Sequence, residues 1–206
     1  MRNILKDHSN VIPVMIHGGD TAEPMGTIGG DQLISSLDVW FPSATIDRFK
    51  YPGNENIVNV DTIWDDLILS RQDDNTYNQV DIEKSYDPNS RELEITLIIK
   101  FTKAQKGNFR LNAYLTENNL IFDQENCLNE DPEYPDLFGR GDPIVGYVHD
   151  FVLRDMLGGT YGIIPDGASA IPLNVLAGQT YSIHHFVPRM IASLTKRGHV
   201  VQSHQL

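Results

Sequence analysis

Cys127 is the only cysteine among 206 residues, and thiol–disulfide exchange needs two sulfurs in reach of one another, so that chemistry has one partner at most here. Its neighbours in Glu125-Asn126-Cys127-Leu128-Asn129 are acidic, a setting that raises a thiol pKa rather than lowering it. Gly18-Gly19-Asp20 and the glycines 26, 29 and 30 have the composition of a phosphate cradle. They lack the Gly-Lys-Ser/Thr ending, do not match Gly-x-Gly-x-x-Gly, and are expected to be plain loops. No Gly-x-Ser-x-Gly elbow and no His-Glu-x-x-His helix occurs. Residues 117–136 hold seven carboxylates and no Lys or Arg, a supply of hard oxygen ligands suited to Ca²⁺ but without the Asp-x-Asp-x-Asp-Gly spacing of a calcium loop. A solvated surface loop is the expectation. His184-His185 could supply imidazoles to a metal, but neighbours in a strand point to opposite faces. His149 and Arg154 lie five apart, which on a helix is about 140° of rotation, so they do not stack. Arg154 is therefore expected to pair with a carboxylate or to cap a helix end. These residues assign no catalytic, cofactor-binding or metal site, and leave the binding site unknown.

The elements that carry these residues fall into two rhythms. Residues 1–60 read as αβαβ. The apolar run Val11-Ile12-Pro13-Val14-Met15-Ile16-His17 predicts a buried strand, and a Gly-rich loop and a short helix with Leu33, Ile34 and Leu37 follow. Phe41-Pro42 then leads into a second predicted strand, Ser43-Ala44-Thr45-Ile46-Asp47. A further helix is expected from Asp61, with Asp65 and Asp66 in its first turns and Ile63, Trp64, Leu67 and Ile68 on one face. It ends in Arg71-Gln72-Asp73-Asp74-Asn75, where a domain boundary is placed: residues 1–72 before it, 73–206 after.

Beyond that point the period is two. Leu93, Ile95, Leu97, Ile99 and Phe101 alternate with mostly polar residues, as do Phe109, Leu111, Ala113 and Leu115. The two runs are predicted to form a hairpin through Gln105-Lys106-Gly107-Asn108, with a weaker strand over 77–83 joined by the turn Asp87-Pro88-Asn89-Ser90. Short strands are expected at 120–123 and 179–186. Residues 146–157 read as a short helix with Tyr147, Val148, Phe151, Val152 and Met156 on one side, stopped by Gly158-Gly159. From His184 onward no acidic residue occurs while four of the seven histidines do, and a closing strand is traced only by Val200-Val201.

Composition narrows the partners. Hydrophobic residues make up 40% and charged residues 21%, as in globular chains. A net charge of −12 argues against nucleic acid and anionic lipid surfaces, which need clustered Lys and Arg. No run reaches the roughly 18–20 apolar residues that span a bilayer, and the first residues carry no signal peptide.

Two segments carry a resemblance. Val11 to His17 together with Phe41-Pro42-Ser43-Ala44-Thr45-Ile46-Asp47-Arg48 resembles the second half of a thioredoxin-type domain, where a proline opening a strand next to an aromatic is usually cis and faces a dithiol. Tyr147-Val148-His149-Asp150-Phe151-Val152-Leu153-Arg154, followed by Gly158-Gly159 and Tyr161-Gly162, is similar to the His-x-x-Val-Leu-Arg signature of outer-membrane lipoproteins of Bacteroidetes typified by a twenty-eight-kilodalton protein. The likeness runs over most of residues 11–186. It implies an α+β chain in two parts: a partial thioredoxin-like unit, its first strand and helix upstream of Met1, then an antiparallel immunoglobulin-like β-sandwich with a short helix insertion. It further implies a cell-envelope location and a non-enzymatic binding role with an unknown protein or surface ligand. The alternatives are a fragment of a thiol–disulfide oxidoreductase-like protein whose active half is absent, and a Ca²⁺-dependent adhesion module.

Overall fold

The structure is a computed structural model that describes residues 2–19, 23–39, 41–72, 74, 76–165 and 170–187. The helices are α1 (Arg2–Asp7), α2 (Ile28–Leu37) and α3 (Trp64–Gln72), the last entered through one 3-10 turn at Asp61–Ile63. The strands are β1 (Ser43–Ala44), β2 (Asn59–Val60), β3 (Asn78–Asp87), β4 (Glu92–Phe101), β5 (Gln105–Lys106), β6 (Tyr114–Glu117), β7 (Leu120–Gln124), β8 (Ile144–His149), β9 (Val152–Met156), β10 (Asn174–Val175) and β11 (Thr180–Val187). Their pairings make an α+β chain of small, antiparallel sheets.

The main core grows from β4. Leu93, Ile95, Leu97, Ile99 and Phe101 are each at most 4% exposed, as the period-two pattern demands. The turn after β3 is set by Asp87, whose carboxylate accepts from the Asn89 amide at 2.8 Å while its carbonyl accepts from Arg91. β3 pairs with β4 across that turn, as expected, and β11 covers the other edge of β4. The predicted hairpin between β4 and residues 109–115 does not form. Both edges of β4 are already occupied, so the second alternating run pairs elsewhere. Gln105 and Lys106, read as a turn, form β5 against β10. Leu111 bridges Ile163, and Tyr114–Glu117 becomes β6 against β9. Phe109, Leu111, Ala113 and Leu115 still point into the core beside Val175 and Ile183. The face was predicted and the partner was not, because period two names a side and says nothing of the neighbour.

The predicted helix over 146–157 is also corrected. The stretch is two strands, β8 and β9, hinged at Asp150-Phe151, where Phe151 has φ +60°. Tyr147, Val148, Phe151, Val152 and Met156 satisfy helical spacing, yet β-branched residues favour strands, Gly146 at φ +66° lies outside the right-handed helical region, and β6 and β7 supply the partners. Residues 11–17 are extended with a single bridge, Met15 to Val152, parallel, rather than a strand. Met15 N donates to Phe151 O and Leu153 N to Met15 O, both at 2.8 Å, so this segment lies along the outer edge of β9. The second predicted strand shortens to Ser43–Ala44, since Asp47 and Arg48 turn at φ +51° and +49°; the Phe41–Pro42 peptide before it is cis.

Glycines 29 and 30, read as loop, sit inside the first turn of α2, whose N-cap Thr27 accepts from the Gly30 amide at 3.0 Å. A Cβ on Gly30 would lie 3.0 Å from Ile16 Cγ2, and one on Gly29 would lie 3.3 Å from Met156 Sδ. Glycine there lets the helix approach both the extended segment and β9. A second cluster results, with Leu33, Tyr114, Leu153 and Met156 buried and Val14, Ile16 and Leu37 against them. α3 buries Ile68 as its predicted face requires. The trace of a closing strand at Val200-Val201 lies outside the described residues.

Candidate functional site

A cleft lies between the first turn of α2 and β9. β9 carries a bulge: Leu115 faces Asp155 and Thr116 faces Leu153, which leaves Arg154 between ladder positions. The bulge turns the guanidinium outward, where its Nε lies 3.4 Å from Glu117 Oε2. This is the carboxylate partner expected for Arg154, reached from a strand rather than a helix. Across the cleft, Thr160 Oγ1 donates to Gln32 Oε1 at 2.5 Å. The space of this open cleft is about 390 Å³, with Thr27, Ile28, Gly29, Gln32, Arg154 and Met156 in its wall. The Thr160–Gln32 bond joins the two walls, while Arg154 is engaged by Glu117.

Next to it stands a group that spacing alone does not reveal. His17 closes the extended segment and His149 closes β8, and their rings meet edge to face at 5.0 Å. Tyr147 lies 4.7 Å from His149 on its other side, and His149 Nε2 is 3.3 Å from Phe122 O. Glu23 Oε1 lies 3.8 Å from His17 Nδ1. Burial pushes both imidazoles below the ordinary histidine range; Glu23 works against it at both rings, while the neighbouring His149 lowers His17 further. The two histidines sit in elements far apart in sequence, and no local pattern joins them.

The remaining sequence candidates separate. Asp31 occupies the mouth of the Gly18-Gly19 loop: its carboxylate accepts from Gly19 N at 3.3 Å, and a Cβ on Gly18 would lie 2.3 Å from Asp31 Oδ1. A negative group where a phosphate would rest leaves this loop without anion chemistry. Cys127 is exposed, in the turns that follow β7. His184 Nδ1 is 2.9 Å from Thr96 Oγ1 on the exposed side of the β4–β11 pair, and the side chain of His185 lies outside the described residues.

The acidic stretch is organised by its backbone. Asp123 accepts from Gly146 N at 2.9 Å, Asp131 from Glu133 N at 3.0 Å, and Asp142, just beyond the stretch, from Asn126 N at 2.9 Å. Buried Asn126 donates through Nδ2 to the carbonyls of Leu137 and Gly141, tying the two ends of the loop. Among the described residues no three His, Cys, Asp or Glu side chains converge as a metal would require. Millimolar Ca²⁺ is accordingly expected to leave the melting temperature of the chain unchanged within about a degree. A bound ion at a hundredfold excess over its Kd would add about 2.7 kcal/mol and raise Tm by several degrees. Such a rise, lost with chelator and in Asp131→Asn, would make this loop a calcium site after all.

Comparison with protein families matches residues 31–184 to the model of a family described as outer membrane protein Omp28. The match includes most of α2, β1 to β10 and the His149–Arg154 segment. No curated protein and no solved structure matched the chain.

Proposed function

The chain belongs to the family of outer membrane protein Omp28, and on that premise we propose that it works at the outer membrane as a non-enzymatic binding or interaction module. The observation that carries this reading is the family match itself, which takes in three quarters of the chain. In the same reading residues 1–72 correspond to a partial thioredoxin-like unit and 73–206 to an immunoglobulin-like sandwich. Strands β3, β4 and β11, with the core they share with β6 and β10, support the second part. Among the described residues no helix is long and apolar enough to cross a membrane.

The geometry suits contact with a macromolecule better than enclosure of a small substrate. The β7–β8 hairpin pairs only with itself and leaves Ile121 67% and Val145 80% exposed, next to the acidic loop. Exposed apolar side chains on a two-stranded arm are a place for a partner to bind. In fractionated cells the protein should sediment with outer membranes, and Ile121→Ser/Val145→Ser should release a large part of it to the soluble fraction without moving Tm. An evenly soluble wild-type protein, or a double variant that sediments as before, would reject this surface.

A further inference from the structure

We propose that the His17–His149 pair is a proton-operated latch that releases residues 11–17 and α2 from β9 when the surroundings turn mildly acidic. The extended segment is held to the β-part by few bonds. Two backbone hydrogen bonds at Met15 fix its middle, and the buried contact of His17 on His149 fixes its end. His149 is 4% exposed, with Phe122 and Tyr147 from the β7–β8 hairpin against it. A neutral imidazole fits this place, since its one N–H meets the Phe122 carbonyl and its ring meets two aromatic neighbours. A charged one does not fit, because it would be desolvated and would face a second cation 5.0 Å away once His17 also gains a proton.

The charged groups around the pair decide the direction. Glu23 faces His17 from the loop before α2, and Asp150 lies beside His149 at the β8–β9 turn. Arg140 stands over the far face of Tyr147, its guanidinium carbon 6.0 Å from the ring centre. The two carboxylates favour protonation, yet each is partly solvated, and burial outweighs them at both rings. A histidine whose folded pKa lies below its free value of about 6.5 contributes stability that is whole above that value. That stability declines as pH falls toward the folded pKa and levels off below it. Acid therefore opens the latch. Two such groups raise the open population by up to about a hundredfold per pH unit, ten for each proton taken up.

Release uncovers the cluster of Leu33, Tyr114, Leu153 and Met156, whereas the cluster around β4 holds no histidine among the described side chains and is expected to respond less. The test is hydrogen exchange on the whole chain between pH 7.5 and 5.0, corrected for intrinsic rates, with NMR titration of the imidazoles. The expected result is a steep loss of protection at the Met15 and Leu153 amides, at least tenfold more than at Leu97, together with His17 and His149 titrating below 6.5. His17→Gln should flatten that loss, and Glu23→Gln, which removes a carboxylate that favours the protonated rings in the closed state, should deepen it and extend it to lower pH. Equal loss at Leu97 would overturn the proposal, as would imidazoles titrating at ordinary values or a loss unchanged in both variants.

Discussion

Leu97→Asp is expected to unfold the chain at room temperature, whereas Thr96→Asp, one position earlier on the same strand, should cost less than about 1 kcal/mol. Leu97 is 1% exposed in the middle of β4, the central strand of its sheet, with Ile82 opposite on one side and Ile183 on the other. An aspartate there either carries a charge among aliphatic carbons or takes up a proton and still leaves polar atoms unpaired. Both routes cost several kcal/mol, and the leucine's lost packing adds about 3 more. That sum consumes most of the roughly 5–15 kcal/mol by which domains of this size are stable. Thr96 faces the other way. Its replacement loses a contact with His184 and adds a carboxylate opposite Glu83, but that imidazole lies close enough to compensate in part. Urea denaturation of the two variants measures the difference. Similar midpoints would mean that the alternation along β4 does not decide which side is buried.

How far the sequence could be read follows from which forces are local. The inward side of β4 was legible because five apolar residues at strict alternation leave only one face to bury. α2 was legible from its periodic leucines, and α3 from its apolar face. Pairing was not legible. The runs at 93–101 and 109–115 look like a hairpin to any local rule, but β11, more than sixty residues further on, takes the edge that the hairpin would need. The 146–157 stretch failed for a related reason. Its spacing satisfies a helix, and only the availability of β6 and β7 as partners makes two strands of it. The His17–His149 contact belongs to the same class, since its halves come from opposite ends of the fold and neither alone looks unusual. The signature around His149 and Arg154 was legible as a mark of the outer membrane protein family, while its structural role depends on the β9 bulge that holds Arg154.

The two buried clusters differ enough in size that their stabilities should separate. Among the described residues the first holds eleven buried side chains around β4, while the second holds four, supported by Val14, Ile16 and Leu37 from the segment and helix before residue 40. Leu153 is the hinge of the smaller one: it is 1% exposed, packs with Leu33, Tyr114 and Met156, and its amide donates to Met15 O. Leu153→Ala keeps that backbone bond and removes only packing, which in a site that cannot collapse costs about 3 kcal/mol. Because the lost contacts lie between β9 and α2, the cost should fall on opening of the smaller unit. Amide protection over residues 11–17 and in α2 is then expected to drop by about a hundredfold, while that in β3 and β4 changes little. Tyr114→Phe gives a milder check on the same surface, since it removes the 2.6 Å bond from Arg48 to the Tyr114 hydroxyl and little volume. A uniform loss of protection across both clusters in Leu153→Ala would show one cooperative unit. In that case the segment before residue 40 is bound into the core as tightly as β4 itself, and neither it nor α2 can be released on its own.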